Sequence, residues 1–328
     1  MIYSILHKNT PFTFILYPIV LLGIWTPYIL LNPETIQVYY DADPMPLYKF
    51  MTSIGTSHWG QIVMLLATIL FNAFLLSRIN NSFRLIEKRT SINLFIFFIL
   101  SGSFTIFMQF NPLQFSLTFL LLCIFSLFKI YKREYALRPV FEAGLFISLG
   151  SLFYANMIFY GIFIFLAIMV LLPFNWRQWA AGIFGILTPL VVTASVFFLT
   201  NNLSEFTHTV SQNITTWHSS FQLTTIHYIF IGIVSLIFIR SLGYLFSGSI
   251  RKISTRKYYT LLLFLIIITT IFFFSVPGAN KELFIFIIPS TVFIISNYLE
   301  NIRSRFWQEF LFILLLASSV AIQLWQIA

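Results

Sequence analysis

Two aspartates separated by one residue are the acids of this chain best placed to do chemistry. They are Asp41 and Asp43 in the stretch "YYDADPMPLYKF", Tyr39 to Phe50, where neighbouring prolines prevent a simple helix. A carboxylate in such a loop can act as a general base toward an acceptor hydroxyl, and two carboxylates can hold a divalent cation. The alternative is an exposed acidic turn that keeps the loop soluble, and the spacing alone leaves all three open.

A second polar motif precedes a late apolar run. In "GANKELFIFIIPS", Gly278 to Ser290, Lys281 and Glu282 stand at the mouth of that run. An ammonium group at the level of the lipid headgroups suits a phosphate. The alternative is a lysine whose apolar stem lies along the membrane while its charged end reaches water.

The composition indicates which elements must position these residues. The chain has 328 residues, of which 59% are hydrophobic and 9% charged, and its mean hydropathy is +0.89. These values exclude an ordinary soluble domain and predict an all-α, polytopic transmembrane helical bundle. The net charge of +9 comes from basic residues between apolar runs, which is typical of cytoplasmic loops, so we expect no nucleic-acid partner.

The apolar runs can be counted as membrane spans, because a bilayer core about 30 Å thick needs roughly 20 helical residues. The segment 143–174 is ambiguous, since as one helix it would be about 48 Å long. Its polar interruption is Tyr154-Ala155-Asn156. The other expected spans lie near 11–31, 60–77, 92–109, 113–130, 179–200, 228–246, 259–276, 283–299 and 309–327.

Charge bias decides how segment 143–174 is read, because Lys and Arg concentrate on the cytoplasmic side. If the segment is two short spans or a re-entrant pair, all basic residues except Lys49 and Lys281 lie inside. If the segment is a single span, the basic residues divide almost evenly between the two sides of the membrane. We therefore predict about 11 spans in a single transmembrane domain, 1–328, with a cytoplasmic N-terminus and outer loops 32–59 and 201–227.

Polar residues on the predicted outer face are the candidates for a site. No nucleotide-binding loop, no metal-ligand spacing and no Ser-His-Asp arrangement occurs in the sequence. Lys49 and His58 share the first outer loop with the aspartates, and we expect both to bind substrate together with Lys281 and Glu282. The basic clusters on the inner side are expected to meet anionic membrane lipids.

This pattern resembles the GT-C superfamily of integral-membrane glycosyltransferases. Those proteins cross the membrane once from inside to outside and then present a first outer loop with catalytic acids, as "DAD" does here. Several also carry a late outer turn with a basic-acidic motif that leads into a proline-containing helix. "NKELFIFIIP", Asn280 to Pro289, is similar to that turn, although Asn280 stands where His is more usual.

The resemblance implies inverting transfer of a sugar from a polyprenyl-phosphate donor to an acceptor on the outer face. Asp41 or Asp43 would be the catalytic base, and Lys281 would neutralise the leaving phosphate, while Glu282 would orient Lys281 or contact the sugar. Small polytopic proteins of the Bacteroidota have a similar overall style, so the bacterial inner (cytoplasmic) membrane is the expected location.

A second class of function stays open on the sequence. We expect no soluble C-terminal domain, unlike in large members of the GT-C superfamily. The chain could instead be a non-enzymatic integral-membrane subunit of an envelope assembly, with membrane protein partners, or a flippase or transporter for a lipid-linked intermediate. Nearly pure Phe, Ile and Leu spans count against ion-coupled transport.

Overall fold

The architecture comes from a computed structural model of the chain. It describes residues 43–55, 57–87, 90–104, 107, 109–133, 136–215, 225–247, 252–276 and 281–327, together with Ile19 and Gly23. The expected first span, 11–31, and the start of the first outer loop therefore lie almost wholly outside the described residues. So does the end of the second outer loop, 216–224.

The described residues fold into α-helices and two 3₁₀ helices, with no strand among them. The α-helices are α1 (Pro46–Ile54), α2 (His58–Phe83), α3 (Ile92–Ser101), α4 (Pro112–Phe128), α5 (Leu137–Ser151), α6 (Gly161–Leu171), α7 (Trp176–Leu199), α8 (Leu203–Thr215), α9 (Thr225–Phe246), α10 (Ile253–Ser275), α11 (Ile288–Asn301) and α12 (Arg305–Ile327). The 3₁₀ helices are η1 (Ala155–Tyr160), before α6, and η2 (Lys281–Ile287), before α11.

Six of these helical stretches are long and apolar enough to cross a membrane. Their outward side chains are also apolar, since large hydrophobic residues of α7, α9 and α12 are exposed on the isolated chain. A helix with such a surface is stable only in contact with lipid or with other helices. The protein is therefore an integral, helical membrane protein. The six stretches are Trp59–Phe83, Trp176–Leu199, Thr225–Phe246, Ile253–Ser275, Glu282–Asn301 and Arg305–Gln323.

Segment 143–174 contains two helices and not one. Helix α5 ends at Ser151, and η1 begins at Ala155 inside the polar interruption noted in the sequence. Its 3₁₀ turns continue into α6. The nitrogen of Leu47 donates a hydrogen bond to the Leu152 carbonyl, so the break between the helices is also where the first outer loop attaches.

Helix α3 is shorter than the expected span 92–109, because it ends at Ser101. The next residues are Gly102 and Ser103, and the Ser103 hydroxyl bonds back to the carbonyl of Ile99, which competes with continued helix. The Gly102 carbonyl accepts a hydrogen bond from the Gln323 side chain at 2.9 Å. A side chain of α12 thus donates a hydrogen bond to a backbone carbonyl at the end of α3 that has no partner within the helix.

Helices α5 and α7 approach closely where both carry glycine. A methyl group on Gly144 would lie 2.6 Å from the Gly182 carbonyl oxygen. One on Gly185 would collide with the Phe141 carbonyl oxygen and stand 3.1 Å from the Gly144 Cα. Close backbone contact between small residues is how membrane helices gain packing energy without a hydrophobic driving force. This contact holds α7 against the helix that ends beside the first outer loop.

We expect Gly185→Ala to destabilise the protein, because the added methyl group must push α5 and α7 apart. The expected cost is about 1–3 kcal/mol, visible as a lower midpoint of thermal unfolding in detergent. The control is Gly232→Ala in α9, where an added methyl group meets nothing within 4 Å and alanine favours the helix. Equal midpoints for the two variants would contradict the close packing.

Candidate functional site

The segment predicted to be the first outer loop, 32–59, is anchored by the short helix α1. Proline at its first position lacks an N–H group that would need a partner, and the Leu47 N–H bonds to the Leu152 carbonyl at 3.1 Å. The Tyr48 side chain is buried, its hydroxyl donates to the Phe110 carbonyl at 2.9 Å, and the two rings stack. The segment that follows Asp43 is therefore fixed at both its backbone and its core-facing side chain.

Helix α8, within the second outer loop, holds the segment that contains Asp43. The spacing of Phe206, Val210 and Asn213 puts all three on the inward face of α8, and Phe206 is buried. The Asn213 amide donates to the Asp43 main-chain carbonyl at 2.7 Å and to the Thr209 carbonyl at 2.9 Å. The two outer loops thus meet through one asparagine.

Asn156 connects α8 to the break between α5 and α6. Its amide nitrogen lies 3.4 Å from the Asn213 carbonyl oxygen and 3.2 Å from the Tyr154 hydroxyl. Asn156 is buried, at 3% exposure. Such a buried amide is stable because protein groups replace its water. Asp43, Asn213 and Asn156 therefore form one connected polar group.

An ion pair also joins the two outer loops. The Lys49 ammonium lies 3.2 Å from a Glu205 carboxylate oxygen. Both side chains are more than half exposed, so the pair contributes little to stability in water. Lys49, predicted to bind substrate, is thus on the same surface as Asp43 and carries a carboxylate partner.

Helix η2 packs against the same break. The Phe286 ring lies 6.3 Å from the Tyr154 ring and 5.1 Å from the Tyr160 ring. Glu282, four residues before Phe286, is only 1% exposed, and ionisable residues within a membrane protein are rare and usually functional. The aromatic contacts place Phe286, near the end of η2, beside the break to which Asn156 and the Asp43 segment also connect.

An apolar cavity of about 310 Å³ opens beside η2. Its lining includes Phe284 and Ile287 of η2 and Phe230 and Val234 of α9. Ser235 and Thr291 are its polar lining residues. The volume falls within the range of small-molecule sites, about 300–1,000 Å³. Its lining suits an alkyl or isoprenoid chain better than a sugar.

The structure describes some of the predicted site residues and not others. Asp43, Lys49 and Glu282 have the positions given above, and the backbone of Lys281 begins η2. Asp41 and the side chains of His58 and Lys281 lie outside the described residues. Among the described side chains, no group of three or more His, Cys, Asp or Glu could hold a metal ion. A divalent cation held by Asp41 and Asp43 stays a prediction.

Comparison with known proteins gives one family. The family, described as a family of unknown function (DUF6427), matches residues 47–327. The chain belongs to the DUF6427 family. No curated protein and no solved structure matches it. The DUF6427 match includes α1, α8, η1 and η2, and it begins four residues after Asp43.

Sequence reasoning missed two residues of this DUF6427 chain that organise the site. Asn156 lies in the one polar interruption of segment 143–174, and that interruption could have identified Asn156 as a candidate site residue. Asn213 could have been found from the helical spacing of Phe206, Val210 and Asn213. Its bond to Asp43 spans 170 residues, which no local pattern predicts.

We expect Asn213→Ala to loosen the segment that follows Asp43, because the variant loses the amide that holds the Asp43 carbonyl. A net hydrogen bond is worth about 0.5–1.5 kcal/mol, so amide hydrogen exchange in α1 should speed up roughly two- to tenfold. Mass spectrometry of peptides from α1 measures it. The control is Ser211→Ala, which removes an exposed hydroxyl bonded within α8. Equal exchange in the two variants would contradict the role of Asn213.

Proposed function

We propose that this protein is a glycosyltransferase that moves a sugar from a polyprenyl-phosphate donor to an acceptor on the outer face of the membrane. One observation carries the proposal: the segment with Asp43 and the helix that begins with Lys281 and Glu282 pack against the same break between α5 and α6. The two motifs are more than 230 residues apart in sequence, and both segments have contacts near that break. A transferase of the GT-C type needs its acid and its phosphate-binding cation at one site.

The acidic side of the site supplies the base. Asp41 or Asp43 takes the proton of the acceptor hydroxyl as its oxygen attacks the anomeric carbon of the donor sugar. A new C–O bond forms, and the bond between that carbon and the phosphate oxygen breaks. The polyprenyl phosphate leaves with the electron pair of the broken bond, and the configuration at the anomeric carbon inverts.

The opposite side of the site binds the phosphate. Lys281 is the cation at the start of η2, and an ammonium group there offsets the charge that develops on the leaving phosphate. Glu282, buried beside it, orients the lysine or contacts the sugar. Lys49 and His58 bind the sugar or the acceptor from the first outer loop.

The apolar cavity supports a lipid-linked donor. It borders η2, so a chain lying between Phe284 and Val234 would have its phosphate end near Lys281. Isoprene units are entirely apolar, and each buried CH₂ contributes about 0.8 kcal/mol. The remainder of a long polyprenyl chain would extend into the surrounding bilayer.

The proposed topology has eleven crossings, with the N-terminus in the cytoplasm and the membrane being the bacterial inner membrane. The shorter apolar helices Pro112–Phe128 and Ala155–Leu171 support this count beside the six long stretches, and the expected span 92–109 contains the ten-residue helix Ile92–Ser101 with the residues that follow it. Helix α5 and the first span, 11–31, complete it. This orientation puts the basic residues inside and the proposed site outside.

We expect one of the single variants Asp41→Asn and Asp43→Asn to lose transfer activity by about 10²–10⁴-fold, because a general base contributes that much. The assay measures transfer of radiolabel from a polyprenyl-phosphate sugar to acceptors in membranes. Glu205→Gln, which neutralises another exposed carboxylate of the outer loops, is the control and should retain most activity. If both aspartate variants retain full transfer, the assignment of the base is wrong.

We expect Val234→Trp to raise the KM for a long-chain polyprenyl-phosphate sugar at least tenfold, because the indole fills the cavity. A donor with only two isoprene units should be affected much less, since it needs less of the cavity. Leu236→Trp is the control: Leu236 is 67% exposed on the same helix and faces away from the cavity. Equal KM values for the two variants would show that the cavity does not bind the donor chain.

A further inference from the structure

A cluster of aromatic rings joins α2, α4 and α10. It lies at the end of the bundle that the charge bias predicts to be cytoplasmic. The Phe83 ring contacts Phe125, Phe128 and Tyr258 at centroid distances between 5.4 and 5.6 Å. Tyr258 stacks on Phe128 at 4.4 Å and meets the edge of Tyr131 at 5.9 Å. This group, the inner aromatic cluster, is a fixed platform built from three helices and the turn after α4.

Four basic side chains converge on two rings of the inner aromatic cluster. Arg78 and Lys129 lie 5.1 and 4.2 Å from the centroid of Phe125. Lys132 and Lys257 lie 5.8 and 5.6 Å from the centroid of Tyr131. The cations come from α2, from the end of α4, from the turn that follows and from α10.

None of these four cations has an acidic partner among the described residues. The ion pairs of Lys49 with Glu205 and of Arg138 with Glu142 contain no cation of the cluster. Glu134, the nearest acid in sequence to Lys132, lies outside the described residues. Cation–π contacts compensate part of the charge, but they leave the phosphate-binding N–H groups of Arg and Lys available.

The arrangement exceeds what membrane topology requires. Charge bias explains why basic residues lie on this face, but it does not bring Arg78 of α2 and Lys257 of α10 onto the same two rings as Lys129 and Lys132. Lys129 and Lys257 are half-buried, where like charges repel more strongly than in water. Lys132 has a φ of 59°, a left-handed conformation that is unfavourable for a residue with a side chain.

We propose that this cluster binds the phosphate of an anionic phospholipid of the cytoplasmic leaflet. The Arg78 guanidinium can take two phosphate oxygens, and the lysines add point charges around them. The apolar surface of α2 next to the cluster suits the acyl chains of the lipid. Phe74, one turn before Arg78, is 54% exposed, and its ring stacks with that of Phe71, which is also exposed. The site is independent of the proposed glycosyltransferase site, which lies at the opposite end of the bundle.

The test is lipid binding to the full-length protein in nanodiscs or detergent, measured by native mass spectrometry with phosphatidylglycerol and, for comparison, phosphatidylcholine. Wild type should bind one phosphatidylglycerol at least tenfold more tightly than phosphatidylcholine. The double variant Lys129→Gln/Lys257→Gln should lose this preference. The control, Lys252→Gln/Arg303→Gln, removes two exposed charges from the same membrane face and should change the affinity less than twofold.

Three results would overturn the proposal. The first is equal loss in the cluster variant and the control, which would mean that total charge alone attracts lipid. The second is wild-type affinity in the cluster variant. The third is displacement of the bound lipid by inorganic phosphate at low millimolar concentration, which would assign the site to a free anion. If the double variant does not fold, Lys132→Gln, whose side chain is exposed, replaces it with the same expected direction and the same control.

Discussion

The structure depends on one constraint: backbone N–H and C=O groups near the membrane interior must find partners within the protein, because lipid offers none. The chain breaks its helices at several points and satisfies each break with a distant group. The amide of Gln323 bonds to Gly102, and the N–H of Leu47 bonds to Leu152. Asn213 does the same for Asp43. Irregular backbone is therefore found where other segments cross it, and the candidate site is built from those crossings.

This constraint gives the polar residues of the site two roles. Asn156 and Asn213 satisfy backbone and also line the region where η1, α8 and the first outer loop meet. The exposed ion pair between Lys49 and Glu205 joins the same loops, but water weakens it. The buried amide of Asn156 and the half-buried amide of Asn213, and not the surface charges, therefore set the geometry around Asp43.

Much of the fold could be predicted from the sequence, and much of the site could not. Long apolar runs predicted the six helical stretches that are long enough to cross a membrane, and the polar interruption at Tyr154 to Asn156 marked the break within segment 143–174. The early end of α3 was missed, because Gly102 and Ser103 look like ordinary small residues within an apolar run. The meeting of Asp43 with Asn213 depends on how α8 packs, which is set by contacts distant in sequence.

The short helix α3 has a consequence for the surrounding bilayer. Its ten residues are about 15 Å long, half the thickness of the hydrocarbon core. All ten residues are buried, so lipid does not contact the ends of α3. The match between helix length and bilayer thickness is therefore set by the neighbouring helices. Longer lipid-facing helices such as α7 and α9 therefore decide which membrane thickness the protein prefers. A helix in the protein interior can therefore be shorter than the bilayer is thick without making the surrounding bilayer thinner.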